Sequence, residues 1–293
     1  MRRLPPQVLL FGSIASVQFG AGIAVRLFDR VGPGGAVMLR LLLSALVLVA
    51  LARPSIRGRS RSAWLSVLAF GLILGVMNWS FYEALDRIPL GIAVTIEFLG
   101  PLGVALLGSR RPLDLLWCLL AAAGVAVIAL PGSTGDIAVS GILLAAFAGV
   151  LWGAYILASQ RVGSHFPAVD GLAFSLCVAA FVVLPIGIHD GGRELAVPSV
   201  LIAGFAIAML SSLIPYSLEL VALRRLTASA FGLLMSVEPA MGAVAGALVL
   251  RQHLGAATLL AIGMVIVASV GTTVFAKRSP PVAEPAVGLS TPP

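Results

Sequence analysis

Residues 78–111 read NWSFYEALDRIPLGIAVTIEFLGPLGVALLGSRR. Two apolar runs flank the polar break Asp86-Arg87-Ile88-Pro89, and the second run carries Glu97 near its middle with Pro101 four residues on. A carboxylate in the centre of an apolar helix is costly when the solvent is lipid, so by default it marks a functional site. A related pattern returns 138 positions later, where residues 215–246 read PYSLELVALRRLTASAFGLLMSVEPAMGAVAG. In that register Ala84-Leu85 falls on Ala222-Leu223, Arg87 on Arg225 and Pro101 on Pro239. Glu97 finds an approximate counterpart in Glu238, three residues off register.

Outward from this stretch the whole chain is apolar. Of 293 residues, 59% are hydrophobic and 11% charged, against about 25% charged in a soluble domain. Such a chain has too little polar surface to face water, so the class is an integral membrane protein. The formal charge of +7 raises the question of nucleic acid. The basic residues sit in short clusters between apolar runs, with no continuous basic face, so they read as membrane anchors and no nucleic-acid partner is expected. Cys118 and Cys177 both lie inside apolar runs, without a CxxC or Cys/His cluster. They read as packing residues; neither a metal nor a cofactor is expected. Arg2-Arg3 followed by an apolar run resembles a signal peptide, but the run continues to about Phe28. That is too long for a cleaved h-region, so it reads as a first transmembrane helix that stays.

A membrane-spanning helix needs roughly 20 mostly apolar residues. Ten such segments can be marked, at about 7–28, 34–52, 63–83, 89–108, 114–131, 138–160, 168–188, 198–219, 228–249 and 255–275. The breaks hold the charges and many turn-formers, as in Asp29-Arg30-Val31-Gly32-Pro33 and His189-Asp190-Gly191-Gly192. Gly20, Gly71-x-x-x-Gly75 and Gly242-x-x-x-Gly246 read as close helix contacts. The Pro-rich polar tail, 279–293, is expected to be disordered. With the N-terminus in the cytoplasm, Arg2, Arg3, Arg53, Arg57, Arg59, Arg61, Arg110, Arg111, Arg161, Arg224, Arg225, Lys277 and Arg278 lie inside. Only Arg30, Arg87, Arg193 and Arg251, with Arg26 close by, lie outside. That bias predicts both termini inside.

The expected fold is therefore all-α, with ten transmembrane helices in two five-helix repeats, 7–131 and 138–275. Five is odd, so the repeats insert with opposite topology. Inverted repeats are a common architecture of secondary transporters, whose substrate site lies near the midplane between the halves.

Candidate site residues follow from depth. Glu97 is about eight residues, roughly 12 Å, into the fourth segment, and Glu238 is similarly deep in the ninth. Pro101 and Pro239 are helix-break residues: each lacks an N–H, freeing the carbonyls of Glu97 and Met235, which is tolerated at membrane depth where they face protein or a wet cavity. Burial favours the neutral form of a carboxyl group, which suits a group that takes up and returns a proton or meets an ammonium. The structural alternative is an acid neutralised by a hydrogen bond or ion pair. Arg40, at a depth close to that of Glu97, pairs with an acid, holds a substrate carboxylate through its fork, or snorkels to the outer interface. Asn78 and Tyr82, four apart, share a face of the third segment with Trp79 beside them. Gln18, Trp152, Tyr155 and Tyr216 add polar and aromatic surface of the kind that lines small-molecule pockets, or that bonds helix to helix. Glu83 reaches Arg87 at i,i+4 as an interfacial pair. Glu219 sits near Arg224 and Arg225 at the inner surface. Ser211, Ser212 and Pro215 suggest a loosened stretch of the eighth segment.

Several of these motifs carry a resemblance. Pro89-Leu90-Gly91-Ile92-Ala93-Val94 leading to Glu97-Phe98-x-Gly100-Pro101-Leu102 is similar to the fourth helix of bacterial inner-membrane threonine/homoserine exporters, in the EamA branch of the drug/metabolite transporter superfamily. Asn78 with Phe81-Tyr82, Ser109-Arg110-Arg111-Pro112, Tyr155-Ile156-Leu157 with Gln160-Arg161, Pro215-Tyr216-Ser217-Leu218-Glu219 and Phe231-Gly232-x-Leu234-Met235-Ser236-x-Glu238-Pro239-Ala240 match as well. The resemblance spans about residues 7–276. It implies a ten-helix inverted repeat in the inner membrane and export of small amino acids with protons as coupling ion. Arg251-Gln252 departs from the Gly-Glu that many EamA repeats carry there. Export of another metabolite or drug-like compound, or passive facilitation, is the alternative, and a homodimer is left open. An enzyme is not expected: there is no paired-aspartate, GxSG or GxGD signature, and His165, His189 and His253 fall in or beside breaks.

Overall fold

The structure is a computed structural model that describes residues 4–107, 112–129, 138–166, 168–223, 225–226 and 228–275. The expected tail at 279–293 lies outside these, as do Arg110, Arg111 and Arg224. Every regular element among the described residues is helical. Apolar side chains crowd the outside, with Phe181 76% and Ile202 71% exposed, while Ser13, Gln18, Asn78, Glu97 and Glu238 are buried within. Soluble proteins show the reverse, and the pattern fits a solvent that cannot hydrogen-bond. Among the described residues, seven helical stretches are long and apolar enough to cross a bilayer. The chain is a multi-pass membrane protein.

The chain opens with α1 (Pro6–Ala52), 47 residues long. At 1.5 Å per residue that is about 70 Å, more than twice the roughly 30 Å of hydrocarbon. It is two arms meeting at Gly32, whose φ of 65° and ψ of 171° are non-helical, with Pro33 next. A five-residue break at 29–33 is therefore corrected to a single residue: glycine takes the positive φ at no steric cost, and proline can start a new helix because its missing N–H is not needed there. Asp190 completes the turn, accepting from the Gly34 N–H at 3.1 Å.

Next come α2 (Arg61–Leu85), α3 (Leu90–Glu97), α4 (Leu99–Leu107), α5 (Pro112–Ala129), α6 (Val139–Gly163) and α7 (Ala168–Gly191). A 3-10 turn, Gly192–Ala196, leads to α8 (Pro198–Ala208), a π-helical stretch (Met209–Leu213) and α9 (Ile214–Leu223). The chain closes with α10 (Ala228–Met235), α11 (Glu238–Leu250) and α12 (Ala256–Phe275). The main packing pairs are α1 with α7, α2 with α6 and α7, α5 with α12, and α3 with α11. Small residues make these approaches. A Cβ on Gly71 would lie 2.5 Å from Val178, and one on Gly91 2.8 Å from the Cα of Ala243.

Candidate functional site

The site is built around two interrupted helices. The first stops at Glu97, the last residue of α3, and resumes at Leu99 as α4. Pro101 has no N–H for the Glu97 carbonyl, and that oxygen turns to α6: a Cβ on Gly149 would lie 2.7 Å from it. The Phe98 ring at the break meets Trp152 edge-on at 5.9 Å. The second helix stops at Met235 and resumes at Glu238 as α11, with Pro239 in its first turn. In the gap, Ser236 donates to the Gly232 carbonyl at 3.1 Å and pairs with Ser269 at 2.7 Å.

Helices α3 and α11 cross at Gly91 over Ala243 and Val94 over Gly242, which brings the acidic end of each towards the other. Glu97 (9% exposed) and Glu238 (5%) are both buried. Glu238 is in electrostatic reach of Glu97 and of Glu219, and Arg40 is in electrostatic reach of Glu97. None of the three acids forms an ion pair among the described residues, and the Oε2 of Glu238 has no hydrogen-bond partner.

Arg40 does not snorkel. Its Nη2 donates to the Ser211 carbonyl at 2.9 Å and its Nε to the Ser212 hydroxyl at 3.4 Å. Its guanidinium lies 5.7 Å from the centre of the Tyr82 ring, within cation–π range. The π-helical stretch over Met209–Leu213 is the loosening that Ser211, Ser212 and Pro215 suggest in the sequence. A wider turn leaves backbone oxygens for other groups, and Ser16 takes another, the Leu210 carbonyl, at 2.6 Å. The phenols of Tyr155 and Tyr216 pair, and both feel Arg40 and Glu219.

The Glu219 carboxylate accepts from Ser13 on α1 at 2.6 Å, while Arg225 donates to the Leu4 carbonyl at 3.4 Å. Ser13 is brought to Glu219 by packing of α1 on α9, across 206 positions of the chain.

The structure thus gathers Glu97, Glu238, Glu219, Arg40, Tyr82, Tyr155 and Tyr216. Tyr82 is fully buried with its hydroxyl unpartnered, against Phe28 at 5.7 Å. Gln18 joins from α1, its Oε1 beside Gly242. Asn78 is spent locally, its Nδ2 donating to the Leu74 carbonyl at 2.8 Å. Trp152 serves the break through Phe98 and is not part of the charged group. Glu83 pairs with Arg87 at 2.7 Å, at the expected i,i+4 spacing. Sequence reasoning missed Ser13, Ser16 and Gln252. The first two, with Gly20, form a small-residue stripe at i, i+3 and i+7 that was readable. Gln252 accepts from the Leu90 N–H at 3.1 Å, a contact across 162 positions.

Comparison with known proteins agrees with this architecture. The EamA-like transporter family matches residues 139–274. The chain is 41% identical over 289 residues to the threonine/homoserine exporter RhtA of Escherichia coli strain K12, covering 97% of each. It is 42% identical over 284 residues to RhtA of Salmonella typhimurium strain LT2, covering 95% of this chain and 96% of that one. A solved crystal structure superposes with a TM-score of 0.62 at 20% identity, covering 92% of this chain and 97% of that one, so it shares the fold. On the full-length match to the RhtA proteins, the chain belongs to the EamA-like transporter family.

Proposed function

We propose that this protein exports small amino acids of the threonine or homoserine type from the bacterial cytoplasm by exchange against protons, and is not an enzyme. In this reading it spans the inner membrane ten times as two inverted five-helix repeats, 7–131 and 138–275, with both termini cytoplasmic. The two arms of α1 count as two spans, as the breaks after Glu97 and Met235 fall inside single spans. The observation that carries the proposal is two buried acids, Glu97 and Glu238, with the half-buried Glu219 and the Arg40 guanidinium in electrostatic reach and, among the described residues, no ion pair on any of the three acids.

A zwitterionic substrate fits that balance. Its carboxylate meets Arg40, whose present partners are a neutral carbonyl and a hydroxyl, both weaker acceptors than an anion. Its ammonium meets Glu97. A proton on Glu97 competes with the ammonium for the same oxygens, so binding of one releases the other. Glu238 and Glu219 extend the acidic surface towards α1. The paired phenols of Tyr155 and Tyr216 are polar contacts for a substrate hydroxyl, the group threonine and homoserine share.

The test is uptake of labelled threonine and homoserine into inside-out vesicles with and without an imposed pH gradient. Gradient-driven accumulation above equilibrium is expected. Uptake that only equilibrates would make the protein a facilitator, and no uptake of either would overturn the substrate.

A further inference from the structure

We propose that Gln252 is a positioning residue for Glu97, acting through the first turn of α3; this rests on the reading of Glu97 as the proton-exchanging group. Helix α3 has eight residues, and Pro89 before it supplies no side-chain cap. The first N–H groups of a helix have no partner within it. That of Leu90 is satisfied from another part of the fold, by the side-chain carbonyl of Gln252 at 3.1 Å. Leu90 and Glu97 are seven apart and lie on one stripe of a helix only two turns long, so a shift at one end is carried to the other.

The turn that delivers Gln252 is specialised. Arg251 ends α11 in the left-handed region with φ 56°, where a non-glycine residue is strained and usually held by its surroundings. That conformation lets the Gln252 N–H donate to the Gly246 carbonyl at 3.1 Å and folds its side chain back over Gly246. A Cβ on Gly246 would lie 2.5 Å from the Gln252 Oε1. Arg26, from α1, donates to the Val249 carbonyl in the same last turn. The amide is thus seated between Gly246 and the start of α3. Glycine contacts at Gly91 and Gly242 then fix how α3 crosses α11, and with it where Glu97 stands relative to Glu238 and Arg40.

The experiment uses the full chain as Gln252→Ala, Gln252→Glu, Gly246→Ala and the Gln252→Ala/Gly246→Ala double variant. Three readouts are taken: amide exchange over residues 90–93, the carboxyl infrared band of Glu97 (assigned by its loss in Glu97→Gln) followed over pH, and threonine KM and maximal rate in proteoliposomes. Gln252→Ala is expected to speed exchange about tenfold, the effect of one neutral hydrogen bond, to move the frequency and pH midpoint of the Glu97 band, and to raise KM. Gln252→Glu keeps an acceptor and restores all three. Gly246→Ala reproduces the loss by displacing the amide, and the double variant adds nothing. A Gln252→Ala protein that melts lower while the Glu97 band and KM match the parent overturns the proposal. If even the parent carries no threonine, the transport reading fails by itself, and the exchange and infrared data still decide this one.

Discussion

Around Phe98 a helix ends on its acid, and around Ser236-Val237 a helix begins on its acid. Glu97 is the last residue of α3, where the helix dipole presents partial negative charge, and Glu238 is the first of α11, where it presents partial positive charge. Glu97 feels Arg40, whereas the neighbours Glu238 feels are two more acids. The three-residue offset visible in the sequence repeat therefore moves an acid across a helix break. Similar positions in the repeat do not give equal surroundings: Glu97 ends its helix within electrostatic reach of Arg40, and Glu238 begins its helix within reach of two acids. The breaks also differ in packing. A Cβ on Gly100 would lie 1.8 Å from the Gly149 carbonyl, while one on Gly232 would meet Thr273 at 3.5 Å, so the first break is clamped and the second is loose.

The largest effect is expected from Gly100→Ala. The methyl group meets backbone, which cannot step aside, and overpacking of this kind costs about 3 kcal/mol. Thermal unfolding in detergent and folded yield should both fall sharply. Next comes Glu97→Gln, for which gradient-driven threonine uptake is expected to drop about 100-fold, the lower range for loss of a proton-transferring group. Glu238→Gln should cost less and leave accumulation coupled to the gradient; equal losses would break the comparison. Arg40→Lys keeps the charge and loses the fork, so KM for threonine should rise about tenfold, matching one charge-assisted hydrogen bond, with a smaller change in maximal rate. Ser236→Ala removes the bond to Ser269 and should lower stability by about 1 kcal/mol, read by the same melting assay. Gly232→Ala closes the series within about 0.5 kcal/mol, as at an uncrowded site; a large effect would mean the second break is clamped too.

Much of the fold was legible because lipid imposes a simple rule. The apolar runs at 63–83, 138–160 and 168–188 match α2, α6 and α7, with termini within about three residues. Pro101 and Pro239 announced breaks, since an absent N–H is a covalent fact. Ser211, Ser212 and Pro215 announced a loosened turn for a related reason. The hydrogen bond of Glu219 was not legible, because the sequence offers only its neighbours along the chain. Its partner Ser13 stands 206 positions away, on a helix that only packing brings near. The role of Gln252 was hidden likewise: it depends on the left-handed turn at Arg251, and nothing local to an arginine forecasts that conformation.

By itself the sequence determined the solvent, the helical class and the places where helices must break. Each follows from a property of a single residue or a short window: transfer cost, a missing donor, a run long enough to cross. Tertiary structure alone decided which acid feels Arg40, which carbonyl and hydroxyl of the π-helical stretch hold that arginine, and what caps α3. These depend on the crossing of α3 over α11 and of α1 over the π-helical stretch, where glycines let backbones meet and polar groups without water must find partners on another helix.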